Sequence, residues 1–173
     1  DSYDSVDWSL KKIVGNHVSF GMWVIPSTGF YTSTASINSH PAIKAASPQA
    51  PVSDWYHGDD MHHNGALFLA QNYDFFAFFG QPRLKPETPE TTTMKRFAAG
   101  TDDGYRYFKE LGGLKETADN YENKLGTRIK FWDEMMQHPN YDKYWQDRNV
   151  LPKLKGINAA VMTVGGWYDN EDL

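Results

Sequence analysis

The sequence predicts an α/β protein whose parallel sheet is interrupted by a long, mostly helical insertion. Two observations carry that reading. Helix and strand patterns alternate in short units up to residue 46, and a buried-strand pattern returns at 159–164 after a long helical stretch. Alternation of this kind is the rhythm of crossover units, which place consecutive strands parallel.

Asp4 to Val14 should form the opening helix, because Val6, Leu10, Ile13 and Val14 share one face and Gly15-Asn16 offers a stop. Val18 to Ile25 (VSFGMWVI) is rich in strand formers, and Pro26 to Gly29 then turns the chain into the small residues of Phe30 to Asn38. A second strand is expected over Ile43 to Ala46, ahead of Pro48 and Pro51. Gly65 to Phe79 is apolar around most of a helix circumference, the pattern of a helix buried on several sides. Lys85 to Thr93 (KPETPETTT) reads as a Pro/Thr-rich loop, and Gly104 to Leu111 as a short helix ended by Gly112-Gly113. From Leu114 onward, Tyr121, Leu125, Ile129, Trp132 and Met136 keep one helical face until Pro139 interrupts. Tyr141 to Leu154 continues as a helix, and Ala159 to Val164 (AAVMTV) is a buried strand leaving through Gly165-Gly166. The expected organisation is a sheet-forming core over 1–52, a helical cap over 53–156 and a return to the core over 157–173.

Composition narrows the function. With 173 residues, 40% of them hydrophobic and 15% aromatic, the chain has enough apolar material for a folded core. A formal charge of −5 and the lack of any basic stripe exclude a nucleic-acid partner. No apolar run approaches the ~20 residues that cross a bilayer, so no membrane span is expected. The sequence has no cysteine, which removes disulfides and thiolate chemistry. Both ends begin and stop abruptly, without the small polar residues of ordinary termini, and suggest a piece of a longer protein.

Three segments stand out together: Ser47 to Ala66 (SPQAPVSDWYHGDDMHHNGA), His138 to Gln146 (HPNYDKYWQ) and Met162 to Leu173 (MTVGGWYDNEDL). In that order and separation they resemble the α-amino-acid ester hydrolase and glutaryl-cephalosporin acylase family, within the superfamily of cocaine esterase and the X-Pro dipeptidyl-peptidases. The resemblance covers nearly the whole chain. It implies a partial α/β-hydrolase core with an inserted helical cap, and Ser, Asp and His in that chain order. The implied activity is a serine hydrolase or acyltransferase acting on α-amino-acid esters or β-lactam amides through an acyl-enzyme. An X-Pro dipeptidyl-peptidase or carboxylesterase is the alternative within the superfamily, and a non-catalytic packing module the alternative outside enzymology. No cofactor is implied, the partner is a small ester or amide, and the location implied is extracytoplasmic or periplasmic.

The family places its acid in a Gly-Trp-Tyr/Phe-Asp turn after a strand, here Gly166-Trp167-Tyr168-Asp169. A carboxylate there can orient a histidine and stabilise its imidazolium form, although an Asp can equally cap a helix starting at Asn170. The nucleophile departs from the pattern. The family has Gly-x-Ser-Tyr-x-Gly-Phe-Tyr, whereas this chain has Ile25-Pro26-Ser27-Thr28-Gly29-Phe30-Tyr31. An ungapped match puts Pro26 at the nucleophile, and sliding by one residue makes Ser27 the nucleophile with a β-branched Ile25 at a strained turn. The histidine that follows the acid in the family is not in the chain, nor is the oxyanion tyrosine. The isolated chain is therefore expected to be nearly inert.

Amine-selective members of the family hold the substrate ammonium with carboxylates, and Asp59, Asp60, Glu134 and Asp142 are candidates, Asp142 first. Trp55, Tyr56, Trp145 and Trp167 are candidates for an acyl pocket, against the alternative of ordinary core packing. Asp59-Asp60-Met61-His62-His63 has metal-ligand chemistry, but adjacent residues rarely converge on one ion, so no metal is expected. Apolar faces left uncovered predict self-association or a partner chain.

Overall fold

A computed structural model describes residues 1–26, 28–86 and 99–169. The opening helix α1 (Ser2–Lys12) is capped by Asp1, whose side chain accepts the Asp4 N–H. Its Val6 packs, with Phe20 and Met22, against buried Ile43, Ala46 and Ala159. Strand β1 (Phe20–Val24) alternates accordingly, with Phe20 and Met22 half-buried and Trp23 64% exposed. Helix α2 (Gly29–Ala35) buries Thr32 and, just past its end, Ser36. The Ser36 hydroxyl is satisfied by bonding back along the helix, its Oγ donating to Thr32 O at 2.7 Å, as Thr34 Oγ1 does to Phe30 O at 2.9 Å, whereas the buried Thr32 Oγ1 makes no hydrogen bond among the described residues.

Strand β2 (Ile43–Pro48) is central in the sheet, pairing in parallel with β1 on one side and with β5 (Ala160–Val161) on the other. This is the parallel α/β core the sequence predicts. The expected buried strand over 159–164 differs in its exposure: Val161 is 50% and Met162 63% exposed, because β5 pairs only with β2 among the described residues. Ala50, just beyond β2, takes a left-handed conformation at φ 42°.

The expected helix over 65–79 starts later. Residues 62–67 form a small hairpin, β3 (His62–His63) and β4 (Ala66–Leu67), turned by Asn64 and Gly65, both at positive φ. Asn-Gly is the pair that suits such a turn. Helix α3 (Leu69–Phe79) follows, burying Asn72, Tyr73, Phe76 and Ala77 while Phe79 stays 53% exposed.

Two compact units result, 1–66 with 143–173, and 67–142. The inserted unit is thus narrower than the 53–156 expected from the sequence, since 53–66 and 143–156 cluster with the sheet. Within it, α4 (Gly104–Leu111), α5 (Leu114–Leu125) and α6 (Lys130–Gln137) join α3. The single face expected from Leu114 is divided, because Gly126 ends α5 in the left-handed conformation at φ 68°. Tyr73 and Tyr121 stack at 4.1 Å, and fully buried Trp132 meets Tyr121 edge-on at 5.4 Å and Tyr73 at 6.0 Å. Asn120 Oδ1 accepts from the hydroxyls of Tyr73 and Tyr107, so the buried phenols are satisfied. Much of the Pro/Thr-rich segment over 85–93 lies outside the described residues.

In the first unit, α7 (Lys143–Arg148) is shorter than the helix expected over 141–154 and gives way to a 3-10 turn, Leu151–Lys153, around Pro152. Among the described residues no helix is long and apolar enough to cross a membrane.

Trp132→Ala should cost about 3–5 kcal/mol, the range for deleting a buried indole, measured by denaturant unfolding of the chain. A loss under about 1 kcal/mol would contradict its place at the centre of the aromatic core.

Candidate active site

The carboxyl ends of the parallel strands lie side by side. Val24 pairs with Pro48, and Gln49 bridges to Val164. The Gln49 N–H donates to Val24 O at 3.2 Å, and the next N–H, from Ala50, donates to Val164 O at 2.7 Å. Ser47 adds a side-chain tie, its Oγ donating to Met162 O at 3.0 Å. The exits of β1 and β5 therefore flank the exit of β2, roughly 10 Å apart at the usual inter-strand spacing. In open parallel sheets this end is where ligands bind.

From β1 the chain enters a tight turn. Gly29 N–H donates to Pro26 O at 2.8 Å, and Thr28 Oγ1 donates to Ile25 O at 2.7 Å. Ser27 lies outside the described residues. Gly29 is required by proximity: a Cβ there would sit 2.5 Å from Gln49 O and 3.3 Å from the Pro51 Cα. The absent side chain lets the start of α2 press against the exit of β2.

From β5 the chain turns through Gly165 and Gly166 to Asp169, whose N–H donates to Gly166 O at 3.0 Å. Asp169 is half-buried, while Trp167 is 90% and Tyr168 100% exposed. Trp167 joins no aromatic cluster among the described residues. Residues from Asn170 on, and with them the alternative that Asp169 caps a helix, lie outside the described residues.

The loop after β2 holds the other first-unit candidates. Trp55 meets Phe30 edge-on at 6.3 Å and lines a groove of about 360 Å³ with Phe30, Ile37 and Val150. Tyr56 lies 5.5 Å from Trp145 and 4.7 Å from His62, and Trp145 is fully buried in that cluster. Trp55 is thus placed on a groove, whereas Trp145 is packed in the core.

Asp54 is the most heavily engaged carboxylate of this loop. It accepts from the N–H groups of Tyr56 and His57, lies 3.0 Å from His57 Nδ1, and takes Asn149 Nδ2 at 2.6 Å from across the fold. Burial pushes its carboxyl up, but these donors and the charge of His57 outweigh it and hold it below the usual value. Asp59 is different. Its side chain is 1% exposed and accepts Ser53 N–H at 2.6 Å and Asp60 N–H at 2.9 Å. Burial, reinforced by the like charges of Asp60 and Asp54, pushes it up to about 6 despite those donors. Nothing in the sequence separates the two aspartates of the pair; the fold turns Asp59 inward and leaves Asp60 half-buried.

Asp142 and Glu134 belong to the second unit. There Asp142 Oδ2 lies 2.6 Å from His138 Nδ1, and Glu134 lies 3.5 Å from Lys130 Nζ. The Asp54–His57 and Asp142–His138 pairs were not anticipated, although their spacings of three and four residues were visible in the sequence. Among the described residues no group of 3 or more His, Cys, Asp or Glu converges as a metal site.

A parallel sheet with a tight turn after one strand and an acid-bearing turn two strands away has the architecture of the α/β-hydrolases. A solved α-amino acid ester hydrolase superposes with a TM-score of 0.79 at 28% identity, covering 99% of this chain and 26% of that one. An aminopeptidase from a marine sediment Thaumarchaeota archaeon gives 0.80 at 27% identity, covering 99% and 27%. Cocaine esterase from Rhodococcus sp. (strain MB1 Bresler) is 23% identical over 173 residues, 98% of this chain and 29% of that protein. The model of the X-Pro dipeptidyl-peptidase (S15) family matches residues 1–173, and the chain belongs to that family. It spans between 26% and 29% of the length of these relatives.

Gly29→Ala should destabilise the first unit by about 1–3 kcal/mol, the cost of overpacking against fixed backbone. Denaturant unfolding checks this, and an unchanged midpoint would show that α2 does not press on Gln49.

Proposed function

We propose that the protein containing this chain is a serine hydrolase that cleaves α-amino-acid esters, or transfers their acyl groups, through an acyl-enzyme. The observation that carries the reading is the flanking of the β2 exit by the elbow segment and the Asp169 turn, which fits a nucleophile and an acid served by one histidine. In this reading Ser27 attacks the carbonyl carbon and its proton passes to the histidine. The histidine then protonates the leaving alcohol or amine, and water repeats the sequence to release the acid. Asp169 holds the imidazole in its tautomer and stabilises the imidazolium. Trp55, with Tyr56 behind it on the same loop, supports an aromatic acyl group along the α2 groove. Asp60, on that same loop, is the carboxylate proposed for the substrate ammonium, and Trp167, exposed beside the acid, is proposed to close over the substrate.

A second reading is favoured by the family match and by the aminopeptidase neighbour: a peptidase releasing residues from peptides with a free amino terminus. The two readings share the amine and differ in the scissile bond. Uncovered Trp23, Val161 and Met162 further support a partner surface or self-association, for which light scattering of the chain should show a species larger than one copy. A single-copy mass would end that part of the reading.

With the full-length protein, a phenylglycine methyl ester should react at least about tenfold faster than the phenylacetate ester lacking the amine. Equal rates would remove the amine-selective assignment, and faster release from a dipeptidyl anilide would favour the peptidase. Asp169→Asn should lower kcat by roughly 10³–10⁴. A loss of less than tenfold would take the acid role away from Asp169.

A further inference from the structure

The groove beside α2, which belongs wholly to the first unit, has two unlike sides. Along one run Phe30, Thr34 and Ile37, spaced by four and three residues and so on one face of α2 and the turn that ends it. That side is apolar in effect, because the Thr34 hydroxyl turns back to donate to Phe30 O at 2.9 Å. Trp55 meets Phe30 edge-on at 6.3 Å, and Val150 adds an aliphatic surface. Val150 is fixed in place by its N–H, which donates to Ser53 O at 3.0 Å.

The other side is charged. Helix α7 and the 3-10 turn after it bring Asp147, Arg148 and Lys153 to the groove. The Asp147 carboxylate is matched by Lys143 at 2.7 Å. Arg148 is held by its own helix, lying over the Tyr144 ring at 3.4 Å and donating to Tyr144 O at 2.9 Å. Lys153 is exposed, and its ammonium donates to the backbone carbonyl of Asp147 rather than to a carboxylate. An ammonium carries three donors, so this bond leaves two for a ligand. With Asp147 and Lys143 cancelling, Arg148 and Lys153 make this lip positive in a chain whose formal charge is −5.

We propose that this groove binds small aromatic carboxylates, the ring lying against Phe30 and Trp55 and the carboxylate taken by Lys153. The apolar side asks for a ring, and the positive lip asks for an anion. A bare inorganic anion would leave the apolar side uncovered, and an amine would be repelled at the lip. The volume, about 360 Å³, lies near the lower end of ligand sites, roughly 300–1,000 Å³, which suits one ring with a short acid arm. If the aromatic group of an acyl-enzyme lies along the same groove, such an acid competes with it. That competition rests on the serine-hydrolase reading; the binding needs neither Ser27 nor Asp169.

The test is fluorine NMR of the full chain carrying fluorotryptophan, with the Trp55 resonance assigned by Trp55→Phe. Phenylacetate should move that resonance and bind at least about tenfold more tightly than phenylacetamide, its neutral counterpart. Phenethylamine should bind more weakly than either. Raising the salt from about 0.05 M to about 0.5 M should shrink the preference for the acid, since the lip is exposed. Lys153→Met keeps the stem and removes the charge, and should bring the acid to within about threefold of the amide. Lys153→Arg should retain the preference. Residue 153 is exposed, so both variants should fold as the wild type does. Equal affinity for the three probes, a Trp55 resonance that stays in place, or a preference that survives Lys153→Met overturns the proposal. Ester hydrolysis is measured separately, so failure of the catalytic reading and failure of this one are told apart.

Discussion

The exit of β2 is the constraint on which the site depends. Two consecutive backbone N–H groups, of Gln49 and Ala50, hold the ends of β1 and β5 on opposite sides of one strand. Each such bond is worth only about 0.5–1.5 kcal/mol net, about what a left-handed non-glycine residue costs. Ala50 keeps its strained φ because the ladder on both sides fixes where its N–H must point. The same Gln49 presents its carbonyl to Gly29, so one residue sets the height of α2 as well as the exit of β1. Position here comes from backbone, and side-chain identity matters mainly where it must be absent.

A second tie decides how the chain divides. Asp54 gathers donors from its own turn and from Asn149, which is 95 residues away in sequence. That carboxylate, with the Ser53–Val150 bond beside it, fastens the departing and returning segments to the sheet before the inserted unit begins. The insertion is consequently shorter than hydrophobic patterning suggested. Patterning registers where strands end, whereas hydrogen bonds between segments far apart in sequence decide where a unit ends.

Legibility in the sequence followed the same division. The parallel core was readable, because Phe20, Met22, Ile43 and Ala46 carry a strand pattern between turn residues. Helix α3 was readable as a helix but not in its start, since two-residue strands around Asn64-Gly65 have no room to alternate; only the Asn-Gly pair marked them. The break at Gly126 was marked by a glycine that the continuing apolar face concealed. The elbow and acid were placed by family resemblance rather than by periodicity, and the aromatic candidates could not be sorted: Trp55 and Trp145 look alike until one lines a groove and the other is fully buried. The inward turn of Asp59 had no sequence mark, because an Asp-Asp pair ordinarily faces water.

That inward turn shows why the candidate site is more than a frame. A carboxylate with two backbone donors would normally be stable in its charged form, as Asp54 is. Asp59 has comparable donors but lies deeper and between like charges, so burial outweighs the hydrogen bonds and reverses the direction of its shift. The two aspartates, five residues apart, thus tie one loop at two points, Asp54 to the returning chain and Asp59 to the start of the loop itself. The spacing of the two candidate turns is set by strand geometry, while Trp55 and Tyr56 ride on the loop that these two carboxyl groups tie.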